Sequence, residues 1–165
     1  MHSKASSLRK IIDRMIKAIS IPLLTFLLLV SFALAADEDQ VLGLWTTPDN
    51  DCKIEIFKCG GKYCGRIAWL KEPYYPADDD KGMAGRPIVD RENLNPDLQT
   101  RPLIGLQIME GFIYVGKNLW EKGTIYNPEN GKTYRCKMTL STPTHLQVRG
   151  YIGIPLLGGT SVWTR

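Results

Sequence analysis

The chain has 165 residues, 44% of them hydrophobic and 23% charged, with a formal net charge of +4. The positive excess is local: Lys4, Arg9, Lys10, Arg14 and Lys17, set against Asp13, carry all of it, and the chain beyond Ala35 is neutral. A nucleic-acid-binding surface therefore loses its compositional support, because a basic excess argues for such a partner only when it belongs to the folded domain.

The basic stretch leads into an apolar run, Ile19 to Leu34, that ends in Ala33-Leu34-Ala35-Ala36. A basic region, an apolar region and a small-x-small site are the three parts of a secretory signal. The run holds about 15 residues, short of the roughly 20 that a spanning helix needs, and Pro22 and Ser31 interrupt it. We expect a signal peptide over residues 1–35, cleaved near Ala35, and a mature protein that is periplasmic or secreted with no stable membrane span. No cysteine follows the site, so a lipid anchor is not indicated. Residues 36–165 then form one domain, of about 130 residues and near the modal size.

From Leu42 onward the pattern has period two. In Cys52-Lys53-Ile54-Glu55-Ile56 the apolar residues alternate with charges, which places Cys52, Ile54 and Ile56 on one face of a strand. Gly60-Gly61 reads as a turn, and Arg66 to Leu70 returns as a second strand. Further on, Tyr134, Cys136, Met138 and Leu140 share one face, with Thr133, Arg135, Lys137 and Thr139 on the other. The turn before them, Asn127-Pro128-Glu129-Asn130-Gly131, sets φ with proline and draws its positive φ values from Asn-Gly. Strands are expected over 42–48, 52–58, 63–70, 103–109, 112–116, 120–127, 132–140, 145–152 and 159–165. Short strands between turn signals point to a meander that closes into a barrel or sandwich.

One segment departs from this pattern. Residues 71–102 contain five prolines and seven acids, with at most a helical turn near Asn93–Leu98. A loop of such length in a small domain is commonly functional, so a packed cover over one barrel end, a lid and a partner-binding loop are all open. The acidic run Asp78-Asp79-Asp80 lacks the spacing of a calcium loop and reads as a solvated, mobile turn.

Cys52, Cys59, Cys64 and Cys136 all lie beyond the signal, and an even number in an exported chain reads as disulfides. The Gly60-Gly61 turn brings Cys59 and Cys64 close and favours that pair. Cys52 and Cys136 then pair or stay as buried thiols, and spacing alone does not choose. A zinc site is not expected, because C-x4-C stands without a second half or a nearby histidine.

Gly43-Leu44-Trp45 on the first strand and Trp163-Thr164-Arg165 on the last resemble the calycin pattern of lipocalins, fatty-acid-binding proteins and avidins. In that pattern a basic residue from the last strand covers the tryptophan at the closed end. An arginine over an indole gains a cation–π contact. A longer set of motifs is similar to the bacterial exported family "domain of unknown function 2147". It comprises Gly43-x-Trp45-x-Thr47, Cys64-Gly65-Arg66-Ile67, Arg101-Pro102-Leu103-Ile104-Gly105-Leu106, Gly123-x-Ile125-Tyr126-Asn127-Pro128, Val148-Arg149-Gly150-Tyr151 and Trp163-Thr164-Arg165. The resemblance implies export and an all-β, antiparallel, up-and-down barrel of about eight strands, and no chemistry.

Nothing in the sequence assembles a catalytic site. His145 is the only histidine beyond the signal and sits in a turn signal after Pro143-Thr144, so a Ser/His or Cys/His mechanism has no evident partner for it. No carboxylate pair, phosphate loop, metal site or cofactor site stands out. In a barrel of about eight strands the interior is either filled or holds one small ligand. The candidate lining residues are Trp69, Trp120, Tyr126, Tyr134 and Tyr151, with Arg66, Arg149 and Arg101 as anchors for an acidic ligand. The expectation is a non-enzymatic binding protein for a small apolar or amphipathic molecule held under the 71–102 loop. The alternative is an envelope interaction module that presents the loop and rim to a protein partner.

Overall fold

The computed structural model describes residues 38–165, so the expected signal peptide over 1–35 lies outside the described residues. Eight strands follow in chain order: β1 (Gly43–Thr46), β2 (Cys52–Cys59), β3 (Lys62–Leu70), β4 (Gln107–Tyr114), β5 (Leu119–Asn127), β6 (Lys132–Thr142), β7 (His145–Tyr151) and β8 (Gly158–Thr164). Each pairs antiparallel with the next, and β8 returns to β1 to close the ring. The closing seam is short, with one register pair, Thr46 with Thr164. Closure removes the unpaired edges that an open meander would expose.

Local chemistry explains the joints. Gly60 and Gly61 have φ of 55° and 76°. Two consecutive positive φ values give the two-residue hairpin turn whose twist matches the flanking strands. That turn seats the Cys59–Cys64 disulfide, while Cys52 and Cys136 remain thiols. β2 and β6 stand on opposite sides of the eight-stranded ring, beyond the reach of a disulfide.

Two sequence expectations change here. The stretches 103–109 and 112–116 are not separate strands: residues 103–106 are irregular, and the chain runs through Gly111 as the single strand β4. Met109 and Phe112 both point inward, 1% and 0% exposed, although they are three residues apart. A regular strand forbids that spacing, and an inserted residue at Gly111, with φ of 79°, resolves it as a bulge. The 127–131 turn takes only one positive φ, at Gly131. Asn130 instead accepts the Lys132 N–H with its side chain.

One half of the barrel interior is packed solid. Trp45, Ile54, Ile56, Phe112, Trp120 and Met138 are each at most 2% exposed, and Leu140 and Leu146 fill beside them. Gly123 faces inward where a Cβ would collide with the Phe112 ring, so its bare backbone makes room for that side chain. Trp45 donates its indole N–H to Val41 O at 2.8 Å. The Arg165 guanidinium lies 4.4 Å from the Trp45 ring centroid. It donates to the carbonyls of Pro143, Leu42 and Gln40 at 2.9, 3.0 and 2.9 Å. The expected plug of Gly43, Trp45 and Arg165 thus forms the closed end.

The long segment runs to residue 106 and carries a 3-10 turn at Pro96–Leu98. It is tied to the barrel by a buried polar cluster. Asp90, 0% exposed, accepts hydrogen bonds from the Tyr126 hydroxyl at 2.6 Å, Asn93 Nδ2 at 2.8 Å and Arg101 Nη2 at 2.7 Å. The acidic run is not a solvated turn throughout. Asp79 pairs with Arg91 at 2.6 Å and accepts the N–H groups of Lys81 and Met83. Those bonds, the Arg91 one foremost, hold its carboxyl below the usual range.

Candidate functional site

The ends of β1, β3, β5 and β7 meet at the side opposite the Arg165 plug, so the open end carries the connections 47–51, 71–106, 128–131 and 152–157. There the interior is hollow. Alternation places Ile125, Tyr134, Val148, Gly150, Ser161 and Trp163 on the inner wall of β5 to β8, with Cys52 and Ile108 from β2 and β4, around a cup of about 540 Å3. That volume lies in the range of small-molecule sites, about 300–1,000 Å3.

The hollow has a sequence cause. Gly150 and Gly159 are register partners on neighbouring strands, and both lie in the cup wall. A Cβ at Gly159 would meet nothing within 4 Å, and one at Gly150 would make only ordinary contacts with Ile125 and Tyr134. Two absent side chains on adjacent strands leave the space that packed residues occupy lower down.

The floor is apolar and the mouth is polar. Trp163 donates to Ser161 Oγ at 2.9 Å, and Thr47 donates to Asp51 Oδ1 at 2.7 Å. Asp49, Asp51 and Glu129 line the mouth, and no lysine or arginine does. Cys52 is the one thiol in the wall, and burial, with the Asp51 charge adding, pushes it up to about 11. It therefore stands as the neutral thiol at physiological pH. His145 is at the other end of β7, its Nδ1 within 2.9 and 3.0 Å of the Thr142 and Thr144 hydroxyls. Among the described residues no group of three or more His, Cys, Asp or Glu could hold a metal.

The residues expected from the sequence are dispersed. Tyr126 and Tyr134 line the cup. Trp120 is part of the packed half at 0% exposure. Trp69 is 42% exposed on the outer wall with Lys53 over its ring. Arg66 is paired outside with Glu55 at 2.7 Å. Arg149 reaches outward to Pro155 O and Thr160, and Tyr151 lines an outer hollow with Glu121 and Arg135. The anchors expected for an acidic ligand are thus not in the cup, whose mouth carries the opposite charge. Nor does residue 71–106 contribute to the cup lining. The segment is drawn aside by Asp90 and borders a separate polar hollow of about 290 Å3 with Asn93, Arg101, Gln107 and Glu110. Ile125, Val148, Ser161 and Trp163 were readable from strand alternation, but only their height along the barrel makes them cup residues.

A closed up-and-down barrel of eight strands, plugged by arginine over tryptophan at one end and hollow at the other, is a barrel of the lipocalin type. The chain belongs to the bacterial family described as "uncharacterized protein conserved in bacteria" (DUF2147), which matches residues 43–165. Among solved structures it is similar to a protein from Helicobacter pylori described as "Protein HP1028 from the human pathogen Helicobacter pylori belongs to the lipocalin family". The TM-score is 0.61 and the identity 23%, over 76% of this chain and 82% of that one. At that identity the likeness carries the fold alone. No curated protein matches the chain.

Proposed function

We propose that this protein binds, without catalysis, one small molecule with an apolar body and a neutral or cationic head, in the cup at the open end of its barrel. The observation that carries the reading is the cup itself: an apolar floor beneath a mouth lined by Asp49, Asp51 and Glu129, in a barrel otherwise packed. Burial of the body supplies affinity at about 25 cal/mol per Å2 of apolar surface. The mouth carboxylates favour a positive head and repel a negative one.

The test is displacement of Nile red from residues 36–165. Decyltrimethylammonium is expected to displace the dye at lower concentration than decanoate. Gly159→Leu, which fills the cup where a Cβ has free space, should abolish dye binding while leaving the melting temperature nearly unchanged. Failure of the parent protein to take up the dye, or equal uptake by the variant, overturns the reading. A preference for decanoate overturns the head-group assignment.

We also infer that the domain works outside the cytoplasm. Support comes from the basic, apolar and Ala-x-Ala pattern of residues 1–35 and from a Cys59–Cys64 disulfide, a bond that persists in oxidising compartments. N-terminal sequencing of the mature protein should begin at Ala36, and retention of residues 1–35 contradicts the inference. A partner-binding role for residues 71–102 is the lesser reading, because Asp90 and its donors hold that segment against the rim.

A further inference from the structure

We propose that the loop between β7 and β8 is a membrane-docking finger that enters the interface of an anionic lipid bilayer. Ile152, Ile154, Leu156 and Leu157 are 70%, 56%, 81% and 74% exposed, all within six consecutive residues beside the cup. A bare aliphatic tip of this kind is costly in water and suits the boundary between headgroups and acyl chains.

Three further features of the finger point to lipid. Four of its six backbone carbonyls are already bonded within the protein, which lowers the cost of entering a poorly hydrated layer. Gly153 O accepts from Arg135, Ile154 O from the Leu157 N–H, Pro155 O from Arg149 Nε, and Leu156 O from Arg149 Nη2. Pro155 brings no N–H of its own. Positive charge is gathered at the root of the finger. Arg135, Lys137 and Arg149 lie on the outer faces of β6 and β7, with Lys137 directly opposite Arg149 in the register. Like charges in that position repel one another, and among the described residues none of the three forms an ion pair. Glu121 shares a hollow with Arg135 without pairing to it. The carbonyls that the arginines hold are neutral, so the full charge remains to face lipid phosphates. The domain as a whole is neutral, which makes the patch a local feature rather than a consequence of net charge.

The inference is independent of the cup. It places the mouth of the barrel beside a lipid surface, where an amphipathic molecule could pass between bilayer and protein.

The test is flotation of residues 36–165 with vesicles of equal parts phosphatidylglycerol and phosphatidylcholine, compared with phosphatidylcholine alone. The parent is expected to partition preferentially to the anionic vesicles. Leu156→Ser with Leu157→Ser, at two well-exposed positions, should weaken partitioning by about tenfold through lost apolar burial. Arg135→Gln with Lys137→Gln should remove the preference for anionic lipid, by about fivefold per charge. Val115→Ser, at the closed end, should change nothing. Gly159→Leu should partition like the parent, which separates this proposal from the fate of the cup. Absence of partitioning by the parent overturns the proposal, as does undiminished partitioning of the leucine variant. A concentration-dependent dimer that the leucine variant abolishes, without vesicle binding, assigns the finger to self-association instead and equally overturns it.

Discussion

Burial keeps the two free thiols protonated far beyond their ordinary range. Desolvation pushes Cys52 up to about 11 and Cys136 up to about 12, the latter against backbone N–H groups that favour the thiolate. The Tyr126 phenol rises to about 12, chiefly by desolvation and then through its bond to the Asp90 carboxylate. Each of these groups holds its proton longer folded than unfolded. Their stabilisation is therefore complete below about pH 9, the ordinary thiol range, and is lost as pH rises toward 12. Urea midpoints measured from pH 7.5 to 10.5 should fall with pH, and less steeply in Cys136→Ala; a flat profile for the parent contradicts the assignment. Cys59 with Cys64 was legible from Gly60-Gly61, because a tight turn sets the distance between its flanks. The fate of Cys52 and Cys136 was not, because it depends on how many strands separate β2 from β6 around the ring.

At the scale of elements, the long segment is the least regular part of the domain and also the most firmly latched at one point. Asp90 is fully buried and takes three side-chain donors, from Asn93 and Arg101 within the segment and Tyr126 on β5. Asp90→Ala takes the acceptor from the Tyr126 hydroxyl and Arg101 Nη2, while Asn93 keeps its bond to Tyr126, and should cost about 2–3 kcal/mol, the half-exposed Arg101 softening the loss by turning to water. Thermal unfolding measures the cost. Limited proteolysis should then show new cleavage within residues 71–106, whereas an unaltered pattern would show that the latch does not hold the segment. The length and proline content of this segment marked it as non-strand from the outset. Its course beside the cup rather than over it was hidden, since the Asp90–Tyr126 contact joins residues far apart in sequence. The break between the expected strands near 110 failed for a local reason: a glycine inside a strand pattern signals a bulge as well as a turn.

For the whole molecule, closure of the ring depends on little strand pairing. β1 meets β8 at one register pair, and Arg165 supplements that seam by joining the carbonyls of Gln40, Leu42 and Pro143 over the Trp45 ring. Arg165→Ala should cost about 2 kcal/mol, lowering the melting temperature by roughly 5–10 °C. Arg165→Lys should recover little of it, because an ammonium cannot span three carbonyls and stack on an indole as a planar guanidinium does. Calorimetry of the two variants checks this, and full recovery by lysine would reduce the contact to simple charge. The Gly43, Trp45 and Arg165 motif was visible in the sequence as the two ends of one barrel, and the structure joins them.

The sequence by itself determined the class of fold, the inward and outward faces of most strands, the hairpin disulfide and the plug at the closed end. The first three follow from period-two alternation, turn chemistry and short-range spacing, all of which are local, whereas the plug, which joins the two ends of the domain, was legible only as a resemblance to the calycin pattern. Only the tertiary structure decided which half of the interior is filled. Ring closure buries Trp120 and Phe112 in one half, while the other half holds the paired Gly150 and Gly159 in the cup wall. It also turned the arginines outward and the mouth carboxylates toward the cup, because the height and facing of a side chain in a barrel depend on bulges and register accumulated over all eight strands.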